Sequence, residues 1–401
     1  MKNIINLFLI AAVSLSLVSC DDQLDLTDPS ALGVENFIFD EDTAIAALLD
    51  GYNDMQSGFV TGSYTRMFQG LYADELVHSG SFPSLAETGV NNIQTNNVNL
   101  SSIFSNHYDI INTGTEVIRS VEVLEDSEID PEVKAEIIAE AHALRAYGYF
   151  QLVKTFGGIP ISELTVPLDG PVANNAEKAS EDQVYAYILN EISLAEGKLS
   201  ASNPITRFTN TALQVLKADV YLHNGQYPQA EATLAPIIGQ FALTDTYANV
   251  FALNALENSE AIMRINFNAA DSGDLQTFFT SGGRREVATS LTLIEAFTAD
   301  DDRINRIFVP NNPDINFVNK FRSNSTYFPY VYRYAEVLLM YSEVLARRDA
   351  PNASDFINQV RSRAGLGPVT INSSNVVDLI AQERLLELYA EGDRWETVKR
   401  L

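Results

Sequence analysis

The sequence predicts a mainly α-helical protein with an irregular, loop-rich part set between two helical regions. Three observations carry that expectation. Ile137, Ala141, Leu144 and Gly148 recur at helical spacing, and Ala139, Ala143 and Ala146 keep the other faces of the same segment small. Residues Thr209 to Ala230 read as two helices joined by a short turn. Tyr334, Val337, Leu338, Tyr341 and Leu345 form an apolar stripe near the C-terminus, with Glu336 and Glu343 beside it.

The elements follow in order. Met1 to Ser19 reads as a targeting segment, with Lys2 at its start and a mostly apolar run from Ile4 to Val18 that is short for a membrane span. It ends in Leu17-Val18-Ser19-Cys20, which resembles a bacterial lipobox, so cleavage before Cys20 and lipidation of its thiol are expected. Acyl chains there would anchor the chain, at about 0.8 kcal/mol per buried CH₂. Asp21, Asp22, Asp25 and Asp28 follow and resemble an export signal to the outer face. Asp42 is a candidate cap for a helix through Ile45, Leu48, Leu49 and Tyr52. A glycine-punctuated aromatic region comes next, with Tyr52, Phe59, Tyr64, Phe68 and Tyr72. Ser79 to Ser102 is polar, rich in asparagine and without clear period, so it reads as a surface loop. Loops of more than about 15 residues within a compact domain are usually functional or disordered.

The helix through Glu140 to Phe156 should stop at Gly157-Gly158, with Pro160 barring its resumption. Arg145 lies within this apolar run and calls for a carboxylate from another helix. Thr209 is a candidate N-cap, and Pro228 suits the first turn of the helix after Gly225. Residues 239–330 are the least regular, with Ala261 to Ile265 a candidate strand and Ser281-Gly282-Gly283-Arg284-Arg285 a basic turn.

Composition narrows the function. At 46% hydrophobic, the 401 residues can build a substantial core. Lysine plus arginine number 26 against 53 acids, a net charge of −27 that argues against nucleic acid. It also disfavours a polyanionic ligand in the absence of a local basic pocket, and points to a neutral glycan over a charged one. A single cysteine allows no internal disulfide. His78, His107, His142 and His223 show no metal spacing, and there is no phosphate loop or Gly-x-Ser-x-Gly elbow, so no metal or cofactor is expected. Asp300-Asp301-Asp302 lacks the alternation and glycine of a calcium loop and reads as a helix end or turn.

Five blocks carry a family resemblance. Arg145-Ala146-Tyr147 leads through Tyr149-Phe150 to Phe156-Gly157-Gly158-Ile159-Pro160. Arg333-Tyr334-Ala335-Glu336-Val337-Leu338-Leu339-Met340-Tyr341-Ser342-Glu343 is followed by Asn358-Gln359-Val360-Arg361-Ser362-Arg363-Ala364-Gly365-Leu366. Glu383-Arg384-Leu385-Leu386-Glu387-Leu388 and Glu391-Gly392-Asp393-Arg394-Trp395 complete the set. In this order they resemble the SusD/RagB family of Bacteroidetes outer-membrane lipoproteins. Ala218 to Ala230 is in turn similar to a tetratricopeptide-repeat turn.

The resemblance implies a SusD-like fold of tetratricopeptide-like helix pairs. It implies a signal peptide at 1–19 and a single nutrient-binding domain over 20–401, whose C-terminal tail is cut short relative to the family. The implied function is capture of an oligosaccharide at the cell surface and its delivery to a SusC-like, TonB-dependent outer-membrane barrel, without catalysis. Binding of peptides or another nutrient, and glycan hydrolysis, are the alternatives. The charged residues of the blocks, from Arg145 to Arg394, are expected as buried ion pairs of the scaffold. Trp395 falls in a scaffold block, so tyrosine and phenylalanine should supply the ligand platform. Family ligands sit on loops of the N-terminal region and of the irregular segment, which nominates Tyr72, Asp74, Phe82, Asn91 and Asn92 from the first and Phe278, Phe279 and Arg284 from the second.

Overall fold

The structure, a computed structural model, describes residues 37–162, 177–308 and 315–401. The leader expected at 1–19 and the lipidation site Cys20 lie outside the described residues. Residues 39–401 make one compact unit. Fifteen α-helices dominate it among the described residues, with three small two-stranded sheets.

The N-terminal helices are α1 (Glu41–Asp54), α2 (Ser63–Tyr72), α3 (Pro83–Gly89), α4 (Val98–Glu122), α5 (Pro131–Phe156) and α6 (Glu181–Ala195). Local chemistry sets their ends. Asp40, not Asp42, caps α1: its Oδ1 accepts from Thr43 N at 2.9 Å, and Thr43 Oγ1 returns the bond to Asp40 N at 3.1 Å. Asp42 sits in the first turn, where its charge still suits the helix dipole. Ser180 and Gln183 form a second capping box at α6.

Half of the stretch expected as a surface loop between Ser79 and Ser102 is helical. Pro83 opens α3, and Asn97 caps α4 by accepting from Leu100 N at 3.1 Å. Only Leu85 and Thr88 of α3 are buried, too few to show a period in the sequence. The true loop is the shorter span from Val90 to Asn97.

Helix α5 is buried over most of its length and lies against α4 and α6. A Cβ at Gly148 would come within 2.9 Å of Ile111 and 3.1 Å of the His107 carbonyl, so glycine is what lets α4 and α5 approach so closely. Arg145 has its expected partner: Nε donates to Glu191 Oε2 of α6 at 2.9 Å, and His142 Nδ1 meets the same oxygen at 2.9 Å. Gly157 ends α5 at φ +73°.

Helices α7 (Asn210–His223) and α8 (Tyr227–Leu234) form the expected helix-turn-helix, capped by Thr209 and opened by Pro228. α9 (Tyr247–Val250), α10 (Leu275–Phe279) and α11 (Leu291–Ala296) are short helices of the irregular part. The C-terminal set is α12 (Tyr334–Ala346), α13 (Ala353–Arg363), α14 (Val376–Leu388) and α15 (Arg394–Arg400). α12 packs on α8, α13 and α14, while α15 packs on α14 and returns to α2.

The strands are β1 (Leu76–His78), β2 (Ala261–Arg264), β3 (Val287–Thr289), β4 (Ile307–Phe308), β5 (Phe317–Val318) and β6 (Tyr330–Arg333). β1 pairs with β3, β2 with β6 and β4 with β5, all antiparallel.

The charged signature residues are scaffold. Glu387 receives Arg333 Nη1 at 2.5 Å and Arg303 Nη1 at 3.3 Å, and also pairs with Arg363. Arg303 binds Asp301 and Glu383 as well, at 2.8 and 2.6 Å, and Asp301 caps the turn where an acidic run was read as a helix end. Arg384 meets Glu336 at 3.0 Å, while Glu343 is held by Arg347 and Arg400.

Candidate functional site

The β1–β3 pairing joins two loops that are far apart in sequence. Leu76 lies opposite Thr289, Val77 opposite Ala288 and His78 opposite Val287. The chain leaving β1 therefore wraps around Glu286, the residue before β3. Ser79 N and Gly80 N donate to its carbonyl at 3.0 and 3.2 Å, and Ser81 N and Phe82 N to its Oε2 at 2.9 and 3.1 Å. Burial pushes the Glu286 carboxyl up, but these two amides and Arg284 outweigh it and hold the group below its ordinary range. It is a fixed anion that sets the Phe82 turn.

A second anchor fixes the start of α2. Gly62 at the N-cap has no side chain to offer, and Asp274 at the head of α10 takes that role. It accepts from Ser63 N at 3.0 Å and Ser63 Oγ at 2.6 Å. Burial raises the Asp274 pKa against these bonds. Desolvation and the Asp274 carboxylate raise the Tyr64 hydroxyl, which stays protonated.

Between the anchors stands a row of aromatic rings. Phe59 stacks on Tyr64, with centroids 4.4 Å apart and planes 14° from parallel. Tyr64 and Phe82 are 6.4 Å apart at 23°. Phe278 backs both, 5.3 Å from Tyr64 and 6.1 Å from Phe82. The Arg284 guanidinium lies 4.2 Å from the Phe82 centroid. Phe59, Tyr64 and Phe82 are half-buried, and Tyr64 and Phe82 rim a core that includes Met67, Leu71, Leu85, Phe278 and Phe279. Aromatic surface held rigid at a rim, with polar groups beside it, can take the apolar face of a ligand and orient it.

Comparison with known proteins assigns the fold a family. The SusD family model matches residues 309–401, and a model described as starch-binding and associating with the outer membrane matches residues 22–222. The chain belongs to the SusD family. Among curated relatives of this SusD family member, SusD-like protein P38 of Formosa agariphila is 24% identical, over 98% of this chain and 90% of its own. A SusD superfamily protein from Bacteroides vulgatus superposes with a TM-score of 0.81 at 18% identity, covering 90% of this chain and 89% of that one. A structure titled laminarin binding SusD-like protein gives 0.78 at 23%, covering 90% and 92%. Surface glycan-binding protein A from Bacteroides uniformis gives 0.77 at 20%, covering 89% and 87%.

Within this SusD-family chain the nominated residues divide. Phe82, Phe278 and Arg284 meet in the aromatic row. Phe279, next in sequence to Phe278, turns into the core against Phe321 and is fully buried, with no face for a ligand. Tyr72 and Asp74 pack on α15: Trp395 meets Tyr72 edge-on at 4.5 Å, and Arg394 Nη2 donates to Asp74 Oδ2 at 2.6 Å. Asn91 and Asn92 are exposed in the turn after α3, Asn91 with φ +52°. Phe59 and Tyr64 are the residues that were not nominated. Both stood in the aromatic-rich stretch, but nothing in their spacing tied them to Phe82; the tie runs through Asp274 and Glu286, far along the chain.

A separate polar cleft lies inside the molecule, and ion pairs form part of its lining. Lys154 meets Glu396 at 2.5 Å, and Arg384 meets Glu336. Among the described residues, no group of three or more His, Cys, Asp or Glu side chains is arranged to hold a metal ion. No described helix is long and apolar enough to cross a membrane.

Proposed function

We propose that this chain is a cell-surface glycan-binding protein that takes oligosaccharide onto the Phe59–Tyr64–Phe82 row and passes it to a TonB-dependent outer-membrane barrel. One observation carries the reading: three half-exposed rings stand near-parallel between Asp274 and the buried Glu286, within a SusD-family fold. A pyranose ring is apolar across its C–H faces and polar at its edge, so it suits such a row. The printed names of the neighbours that bind laminarin or surface glycans support the ligand class. The family description that mentions the outer membrane supports the location, and lipidation at Cys20 would supply the anchor.

Binding without hydrolysis is part of the proposal. The carboxylates nearest the row, Asp274 and Glu286, are bound to backbone amides and serve as anchors, a poor arrangement for a proton donor and nucleophile.

Affinity electrophoresis of residues 21–401 in gels cast with different polysaccharides tests the reading. At least one glycan should retard the protein, and Tyr64→Ala and Phe82→Ala should each weaken binding about tenfold while leaving the circular dichroism spectrum intact. Full retention of binding in both variants would move the site elsewhere. Failure to co-purify with a TonB-dependent barrel from outer membranes would remove the delivery step, and a Cys20→Ala chain that stayed in the membrane fraction would remove the anchor.

A further inference from the structure

From Asp21 to Ile118 the sequence has one basic residue, Arg66. It is buried and donates to the carbonyls of Thr61, Tyr330 and Glu391. Most other buried cations are tied to carboxylates or carbonyls in the same way, as Arg145, Arg303, Arg333 and Lys320 are. Two consecutive arginines nevertheless stand at the aromatic rim, both exposed.

Arg284 is placed with some precision. Its guanidinium lies over the Phe82 ring, whose other neighbours are Tyr64 and Phe278. Nε and Nη2 both lie 3.2 Å from Glu286 Oε1, which holds the plane in position. Nη1 donates to no acceptor among the described residues, so the outward edge of the fork is free. Arg285 follows at φ +58° and pairs with no carboxylate among them. A stacked, pre-oriented guanidinium with a free edge is the arrangement that receives a carboxylate or sulfate by paired hydrogen bonds.

We infer that the glycan bound at this row carries an acidic group, a uronic carboxylate or a sulfate ester, and that Arg284 receives it beside the sugar held at Tyr64 and Phe82. This rests on the row being the glycan site. The net charge of −27 does not decide the matter, because charges more than about 8 Å away are largely screened at 0.15 M salt, whereas Arg284 acts in contact.

The test uses three galactose-based probes with residues 21–401 at 0.15 M salt: a galacturonate oligosaccharide, a sulfated galactan oligosaccharide and a neutral galactan oligosaccharide. Calorimetry should show one acidic probe bound at least tenfold tighter than the neutral one, and which of the two it is distinguishes carboxylate from sulfate. Arg284→Gln should abolish that preference, and Arg284→Lys, which keeps charge but not the fork, should restore part of it. Arg284 is exposed, so the fold should survive either change. Equal binding of all three probes, still lost in Tyr64→Ala, would overturn the acidic assignment and keep the row as a glycan site. A preference for the acidic probe that persisted in Arg284→Gln would overturn the role of Arg284. Binding that was indifferent to Tyr64→Ala would overturn the row itself.

Discussion

Replacing Glu387 by glutamine removes one negative charge from the point where three buried arginines meet. Arg333, Arg363 and Arg303 all reach this carboxylate, and all four side chains are almost wholly shielded from water. Removing one partner of a buried ion pair typically costs about 3–5 kcal/mol, mostly through the charge left behind. Each arginine keeps other carboxylates here: Glu391 and Glu260 for Arg333, Glu260 for Arg363, Asp301 and Glu383 for Arg303. The loss should therefore fall near the lower end, about 3 kcal/mol. Glutamine does not rescue it, because its amide N–H₂ turns a donor toward guanidinium donors. The sign with pH follows from the same contacts. Burial alone would raise the Glu387 pKa; Arg363, Arg333 and Arg303 outweigh burial and hold it well below the ordinary value of 4.5. Its contribution is thus fully present above pH 4.5 and lost as pH falls toward the depressed folded value. Urea unfolding of wild type and Glu387→Gln, followed by circular dichroism at pH 7 and pH 4, measures both effects. The gap should be about 3 kcal/mol at pH 7 and narrower at pH 4. A loss below about 1 kcal/mol at pH 7 would show that the arginines simply re-pair, and would refute the treatment of Glu387 as the centre of the network.

Glu75 should behave in the opposite sense. Burial raises its pKa to about 8, against the weaker pull of Ala390 N, Lys320 and Arg394. The folded chain holds this proton between pH 4.5 and about 8 where the unfolded chain has released it, so stability falls as pH rises through that window. Glu75→Gln keeps an acceptor for Ala390 N and should gain about 3 kcal/mol at pH 7, with a flatter stability profile from pH 5 to 8 in thermal melts. Phe279→Ala should cost about 3–5 kcal/mol in urea unfolding by emptying a core position, yet leave glycan affinity of the folded protein unchanged. Phe82→Ala should do the reverse.

The fold was legible where packing is local. Small residues along Glu140–Phe156 announce a helix crowded on several sides, and Gly148 is a point where α4 comes close. Thr209, Pro228 and Gly157 act at the helix boundaries expected of them. Arg145 needed a carboxylate, and α6 supplies it in Glu191. The misreadings share a cause. Helix α3 has too few buried positions to make a period, and the cap of α1 shifts by two residues because Thr43 can answer Asp40 in a reciprocal pair. The site was half legible. Residue type and region brought Phe82, Phe278 and Arg284 into consideration, but adjacent Phe278 and Phe279 point to different places once α10 forms. Phe59 and Tyr64 join the row only through Asp274, a contact 211 residues away from Ser63.

The same distinction between sums and positions governs the charge. A net of −27 counts every acid and base alike, yet the folded chain treats them in two classes. Glu387, Glu260, Glu383 and Glu391 are buried against Arg303, Arg333, Arg363 and Lys320, where opposite charges cancel within hydrogen-bonding distance and contribute little outside. What a ligand meets is the remainder, and that remainder is uneven. Two exposed arginines, Arg284 and Arg285, stand at the end of the aromatic row. Glu286 links the row and Arg284, because it holds the Phe82 turn through Oε2 while its Oε1 accepts from Arg284 Nε, with the guanidinium 4.2 Å from the Phe82 centroid. One buried carboxylate therefore fixes both the stacking surface and the cation beside it, so ring position and charge position cannot drift apart. A glycan that uses both would be selected by their spacing.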